Sequence, residues 1–232
     1  MTTAPHETTA PRQGRTGRPD RAAGTGPGRG AGGPAVPVAG DAAASRESPA
    51  GHLARACAAA SVAGVVTLRE LPFLPQAEIR ARHEPTATRA LGPLPAPGRA
   101  VTHAGYTLLW CGPSWYLAVA EPPAPASLAA WDRVLPWDAE GPDLDVVDTS
   151  AARTTLELRG PRAPDVLAHV CHIDLHPRSF PPGAAARTPL ARVAVVLHHR
   201  YAGTYRVHAG ASYADHLTRH LLDAMTPYVT EA

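Results

Sequence analysis

Ile173-Asp-Leu-His-Pro-Arg-Ser-Phe-Pro-Pro-Gly183 separates a helical pattern from a strand pattern. Three prolines fix three φ angles, and each pushes the residue before it out of the helical region. Gly183 supplies a position where φ can be positive. Between these stiffeners stand Asp174, His176, Arg178 and Phe180, the last being one of only two phenylalanines in the chain. A pre-set loop that presents a carboxylate, an imidazole, a guanidinium and an aromatic ring loses little entropy when ordered against a partner. The same residues also read as a stiff surface connection. Either way, the hook marks a change of period from helix to strand, and such changes recur along the chain.

On its C-terminal side, Val193–Leu197 is the continuous apolar run of a central strand. Tyr201–Thr204 turns the chain into Tyr205–Ala209, where Tyr205 and Val207 share a face. Ser212-Tyr-Ala-Asp215 has the form of a capping box and opens a helix striped by Tyr213, Leu217, Leu221 and Ala224. On the N-terminal side, Pro164 sits in the first turn of a helix with Val166, Leu167, Val170 and Cys171 on one face. Val146–Ser150 and Arg153–Leu158 read as strands, the second closed by Gly160-Pro161. In that strand Thr154, Leu156 and Leu158 alternate with Thr155, Glu157 and Arg159.

Further upstream, the spacing of Leu128, Trp131 and Leu135 predicts a helix over 126–135, followed by a Pro/Gly/Asp connection over 136–142. Gly105–Cys111 and Trp115–Ala120 flank Gly112-Pro-Ser114 as a hairpin. Pro85–Leu91 is a short helix ended by Gly92. Gln76–Arg82 alternates as a half-buried strand, and Val66–Pro72 is an extended lead-in, so the fold is expected to start near Val65. The order β-α-ββ-α-ββ-α-ββ-α implies the α+β class: antiparallel sheet with helices on one face.

Composition divides the 232 residues sharply. Residues 1–51 contain no Ile, Leu, Phe, Trp or Tyr, yet carry 10 of the 20 glycines. Nothing there offsets chain entropy by burial, so this segment is expected to be a disordered tail ahead of a domain over 65–228. The tail holds the whole excess of positive charge, which leaves the remainder neutral. A neutral domain argues against nucleic acid as a partner. There is no lysine, which excludes Schiff-base chemistry on that side chain. Cys57, Cys111 and Cys171 are too widely spaced for a zinc ribbon and are expected to be reduced thiols in the cytoplasm. No apolar run is long enough for a membrane helix, and the N-terminus has no secretory h-region.

Candidate chemistry is sparse. His169, Cys171, His172 and His176 are soft metal ligands within eight residues, but Cys171 continues a buried face. His216 and His220 share a helix side without the glutamate of a metalloprotease motif. His198-His199 ends a buried strand, one ring to each side. Ser150, Ser179 and Ser212 lack a nucleophile elbow, and Ser212 is expected to cap its helix. Asp148 and Arg153 bracket a strand break and are placed to pair. No glycine-rich phosphate cradle is present. The residues therefore supply no catalytic, metal or cofactor site.

Several segments in order nonetheless match a known family. They are Arg69-Glu-Leu-Pro-Phe-Leu-Pro-Gln76, Leu109-Trp-Cys-Gly-Pro-Ser-Trp-Tyr-Leu117 and Val147-Asp-Thr-Ser-Ala-Ala-Arg-Thr154. Leu156-Glu-Leu-Arg-Gly-Pro-Arg162, the hook from Asp174 to Gly183 with Thr188 after it, and Ser212-Tyr-Ala-Asp-His-Leu217 complete the set. From about Leu68 to Met225 the chain resembles the gamma subunit of heterotetrameric sarcosine oxidase. The resemblance implies a fold similar to the folate-binding domains of the glycine-cleavage aminomethyltransferase. It implies an assembly with alpha, beta and delta subunits that oxidises sarcosine to glycine, forms hydrogen peroxide and passes a one-carbon unit to tetrahydrofolate. FAD, FMN, NAD, the folate site and zinc are then expected on the partner subunits, with none bound by this chain. Asp174, His176, Arg178, Phe180 and Thr188 are expected at a subunit interface, with Phe180 as its aromatic anchor. The sequence departs from the family's pattern at Arg187, where glutamine is usual, at Thr218, where tryptophan is common, and at Gly210-Ala211, which replace a basic pair.

A second reading, a stand-alone tetrahydrofolate-binding protein resembling the aminomethyltransferase, needs an apolar slot with an acid for the pteridine. Asp148 and Asp174 are the acids it would use.

Overall fold

A computed structural model describes residues 47–121 and 143–229. The expected helix over 126–135 and the connection after it lie outside them, as does most of the N-terminal tail.

Among the described residues, ten strands form two five-stranded antiparallel sheets. The first contains β1 (Thr67–Leu71), β7 (Arg153–Arg159), β10 (Thr204–Gly210), β9 (Val193–Tyr201) and β8 (Ala185–Leu190), side by side in that order. The second runs β3 (Ala100–His103), β4 (Tyr106–Gly112), β5 (Trp115–Ala120), β2 (Gln76–Ala81) and β6 (Leu144–Asp148). This is the expected α+β class, but the adjacent strand pairs β1–β2 and β6–β7 are not hairpins. Each pair splits between the two sheets.

Three helices cover the outer face of the first sheet: α1 (Ala54–Ala59), α3 (Ala163–Val170) and α4 (Ala214–Val229). Val166, Leu167, Leu217, Leu221 and Met225 pack there against Leu156, Leu158, Leu197, Tyr205 and Val207. α2 (Glu84–Leu91) covers the second sheet, packing Ala87 and Leu91 with Ile79 and Leu108. The buried Tyr106 hydroxyl donates to the Leu91 carbonyl at 2.6 Å, which satisfies one carbonyl at the end of α2. Pro85 opens this helix and Gly92, with φ 77°, closes it, as the sequence predicts.

Three elements differ from expectation. The core takes in Ala50, Leu53 and Cys57, so packing begins before Val65. An alanine-rich segment carries little hydrophobic signal, yet small side chains let α1 sit close to β1. β8 was hidden by Arg187 and Pro189; it is an edge strand, where a missing N–H is tolerated. β3 is a four-residue edge strand too short to show a period.

The capping box is also corrected. A 3-10 turn, Ala211–Tyr213, precedes α4, so Ser212 lies inside that turn rather than at the cap position of the helix. Asp215 instead accepts from Arg219 and is bonded to His52 at 2.7 Å, tying the N-terminal segment to α4. Tyr213 is exposed rather than part of the buried stripe.

Candidate docking surface and buried polar layer

The hook is held by its own residues. Asp174 Oδ1 accepts from the His176 amide at 2.9 Å, and Oδ2 accepts from the Ser179 hydroxyl. These two hydrogen bonds, the Ser179 one first, hold the Asp174 carboxyl below its ordinary value. His176 Nδ1 accepts from the Arg178 amide at 3.2 Å. Gly183 has φ 80°, as its position requires, and its amide donates to His199 O. Asp174, His176 and Arg178 are exposed.

Phe180 and Thr188 are not exposed. Phe180 is 6% accessible and belongs to the core under the first sheet. Its ring stacks on His199, whose own ring stacks on Tyr205 at 4.2 Å. His199 Nδ1 donates to the Phe180 carbonyl at 2.8 Å, so proton and ring both pin the hook to β9. The expectation of Phe180 as an outward anchor is therefore corrected: prolines on either side turn it inward. Thr188 is buried beside Cys171, with 3.7 Å between its Oγ1 and the sulfur.

Several other sequence expectations resolve in the same way. His169 bonds the Tyr228 hydroxyl at 3.0 Å, and Cys171 is buried, so the cysteine–histidine group is dispersed. His216 bonds Ala191 O and His220 bonds His216 O. Asp148 and Arg153 do not pair: Asp148 accepts from the Ser150 amide at 2.8 Å, and Arg153 reaches Glu78 at 3.3 Å.

The principal group of polar residues was missed by sequence reasoning. Between the two sheets lies a layer of charge. Along one cross-strand row of the first sheet, Arg69, Glu157, Arg206 and His198 stand side by side. Arg69 Nη2 donates to Glu157 at 2.6 Å and Arg206 Nε donates to it at 3.1 Å. Burial alone would raise the Glu157 carboxyl, but the hydrogen bonds from Arg69 and Arg206 outweigh it and the pKa falls. From the end of β5, Glu121 accepts from Arg200 and approaches Arg206 at 3.8 Å. In the next row, Gln76 of the second sheet meets Thr155 at 3.2 Å, and Thr155 meets His208 at 3.0 Å. Burial, then Arg200 and Arg206, depress His198 to about 3; burial likewise carries His208 well below its ordinary value. Both are neutral imidazoles at physiological pH.

At the margin of this layer, Arg80 of β2 and Arg187 of β8 both lie over the Trp115 ring, at 4.0 Å and 4.4 Å from its centroid. Glu78 pairs with Arg80 at 3.1 Å and with Arg153 at 3.3 Å. Under α1, a cavity of about 310 Å³ is lined by Cys57, Leu68, Glu70, Leu156 and Thr218, among others. Thr218 is wholly buried and its hydroxyl has no hydrogen-bond partner. The cavity thus borders the position where the resemblance expects a tryptophan. Burial, then Glu70, raises the Cys57 thiol. The acids considered for pteridine recognition, Asp148 and Asp174, do not line it.

The family model of sarcosine oxidase, gamma subunit, matches residues 86–227. A sarcosine oxidase subunit gamma from Corynebacterium sp. (strain P-1) is 38% identical over 193 residues, covering 80% of this chain and 93% of the relative. This chain belongs to the sarcosine oxidase gamma subunit family. Another member of the gamma subunit family, from Arthrobacter sp., is 38% identical over 80% of this chain and 92% of its own length. Among solved structures, heterotetrameric sarcosine oxidase from Corynebacterium sp. U-96, in complex with pyrrole 2-carboxylate, contains a similar chain. That match has a TM-score of 0.71 at 38% identity and covers 79% of this chain and 96% of that one. Glycine cleavage system aminomethyltransferase T from Bartonella henselae shares the fold, with a TM-score of 0.54 at 15% identity over 68% of this chain and 46% of its own. Among the described residues, no helix is long and apolar enough to cross a membrane.

Proposed function

We propose that this chain is the gamma subunit of a heterotetrameric sarcosine oxidase and serves it as an assembly subunit. The assembly oxidatively demethylates sarcosine to glycine, yields hydrogen peroxide and hands the one-carbon unit to tetrahydrofolate. The observation that carries this reading is the 38% identity that extends through 93% of a sarcosine oxidase subunit gamma. Several of the chain's charged groups turn inward. Glu157, Glu121, Arg206 and Arg200 neutralise one another between the sheets, and His198 and His208 are buried and neutral. Such groups specify a stacked two-sheet body rather than a reaction centre.

In this account FAD, FMN, NAD, tetrahydrofolate and zinc reside on the alpha, beta and delta subunits, and the assembly works in the cytoplasm. The exposed side of the hook, Asp174, His176 and Arg178, is part of the surface that meets a larger subunit. Its rigidity lowers the entropy lost on docking. Phe180 and Thr188 support that surface from within. Co-expression with the neighbouring genes tests the proposal. Co-purification of this chain with a flavin-bearing protein is expected; its persistent isolation as a lone chain would refute the subunit role.

A further inference from the structure

At one margin of the charge layer between the sheets, arginines outnumber acids. There Glu78 pairs with both Arg80 and Arg153, and Arg187 shares the Trp115 ring with Arg80. Arg187 has no carboxylate partner among the described residues; its contact is the Trp115 ring. Both Arg80 and Arg187 are exposed, while the Trp115 Nε1–H is buried without an acceptor. Two guanidiniums over one indole repel each other, and the ring's negative face offsets only part of that repulsion. A carboxylate on Arg187 would supply the missing counter-charge through charge-assisted, bidentate hydrogen bonds, the geometry in which guanidinium excels.

We propose that Arg187, Arg80 and Trp115 form a docking point for an acidic segment of a partner protein. One cation comes from each sheet, so the site exists only when the two sheets are stacked. The excess of positive charge selects Asp or Glu side chains and rejects basic ones. The partner is a companion subunit if the assembly reading above holds; the site itself does not depend on that reading.

Hexaglutamate titrated into the full chain, read by tryptophan fluorescence, tests the site. Saturable quenching is expected at low salt, fading as salt rises. In Arg187→Gln the affinity should drop about fivefold or more. Unchanged melting would show that this variant is folded. Equal affinity in wild type and Arg187→Gln, or no saturable binding to wild type, overturns the docking point. Succinate competing as well as the peptide also overturns it, because the site would then take a small dicarboxylate. Peptide binding with the expected loss in Arg187→Gln, alongside a wild-type chain that never joins a flavoprotein, would uphold the site while removing the subunit reading.

Discussion

Arg206 donates through Nε to Glu157 at 3.1 Å, and the two side chains are only 3% and 4% accessible. A paired charge at this depth is held by mutual attraction that survives desolvation only because each partner has further bonds. Glu157 has Arg69 as well, and Arg206 has Glu121.

Glu157→Gln should therefore cost about 3–5 kcal/mol of stability, since it leaves buried Arg206, beside Arg200, with the longer 3.8 Å contact to Glu121 as its remaining ion pair. Urea unfolding of the purified chain measures it. Replacing Arg206 with Met in the same chain should recover part of the loss. A double variant no more stable than Glu157→Gln alone would show that the pair is not coupled.

Acid should weaken the fold well before carboxylates titrate. His198 has a folded pKa near 3 against 6.5 for an unperturbed imidazole. Below that upper value the unfolded chain takes up a proton that the folded chain refuses, so stability falls as pH drops. The slope is about 1.4 kcal/mol per pH unit for one such histidine. His208 is displaced in the same direction. Glu157 acts lower in the range. Its depressed folded pKa contributes stability that is present above 4.5 and lost as the pH falls through the folded value. His198→Gln should flatten the decline between about pH 6 and 4. Parallel stability curves for wild type and variant would contradict a buried neutral His198.

Phe180→Ala should lower the stability of the isolated chain by about 3 kcal/mol or more, as expected for a core aromatic. Alanine at Asp174, His176 or Arg178 should move stability far less and weaken assembly instead. Calorimetry of the lone chain and pull-down with the companion subunits separate the two effects. Near-native melting of Phe180→Ala would restore this residue to the docking surface.

Thr218→Val should raise stability by about 1 kcal/mol, because it removes a buried hydroxyl that has no partner and keeps its volume. Denaturant midpoints measure the change. A loss of stability would mean that the hydroxyl is bonded in solution.

How far these features were legible differs by kind. Punctuation residues located elements well: Pro85 and Gly92 bound α2, Gly112-Pro-Ser114 turns β4 into β5, and Gly183 takes the positive φ its loop requires. Burial was less legible. Thr155, Glu157 and Arg159 share the face of β7 that carries no apolar residue, yet Thr155 and Glu157 are covered by the second sheet. Alternation reveals which residues share a face, not what lies over that face. The Glu157–Arg206 pair requires the register of β7 against β10, which joins residues far apart in the chain. The hook shows the reverse error. Its composition suggested an outward aromatic, whereas the stack of Phe180 on His199 is a tertiary contact invisible to local pattern.

In the proposed role this polypeptide supplies form to an oxidase and no reacting group. Sarcosine-dependent hydrogen peroxide production, measured on the purified chain alone and on the assembly that co-purifies with it, addresses that directly. Peroxide from the assembly and none from the chain alone is the predicted result; steady turnover by the lone chain would contradict it.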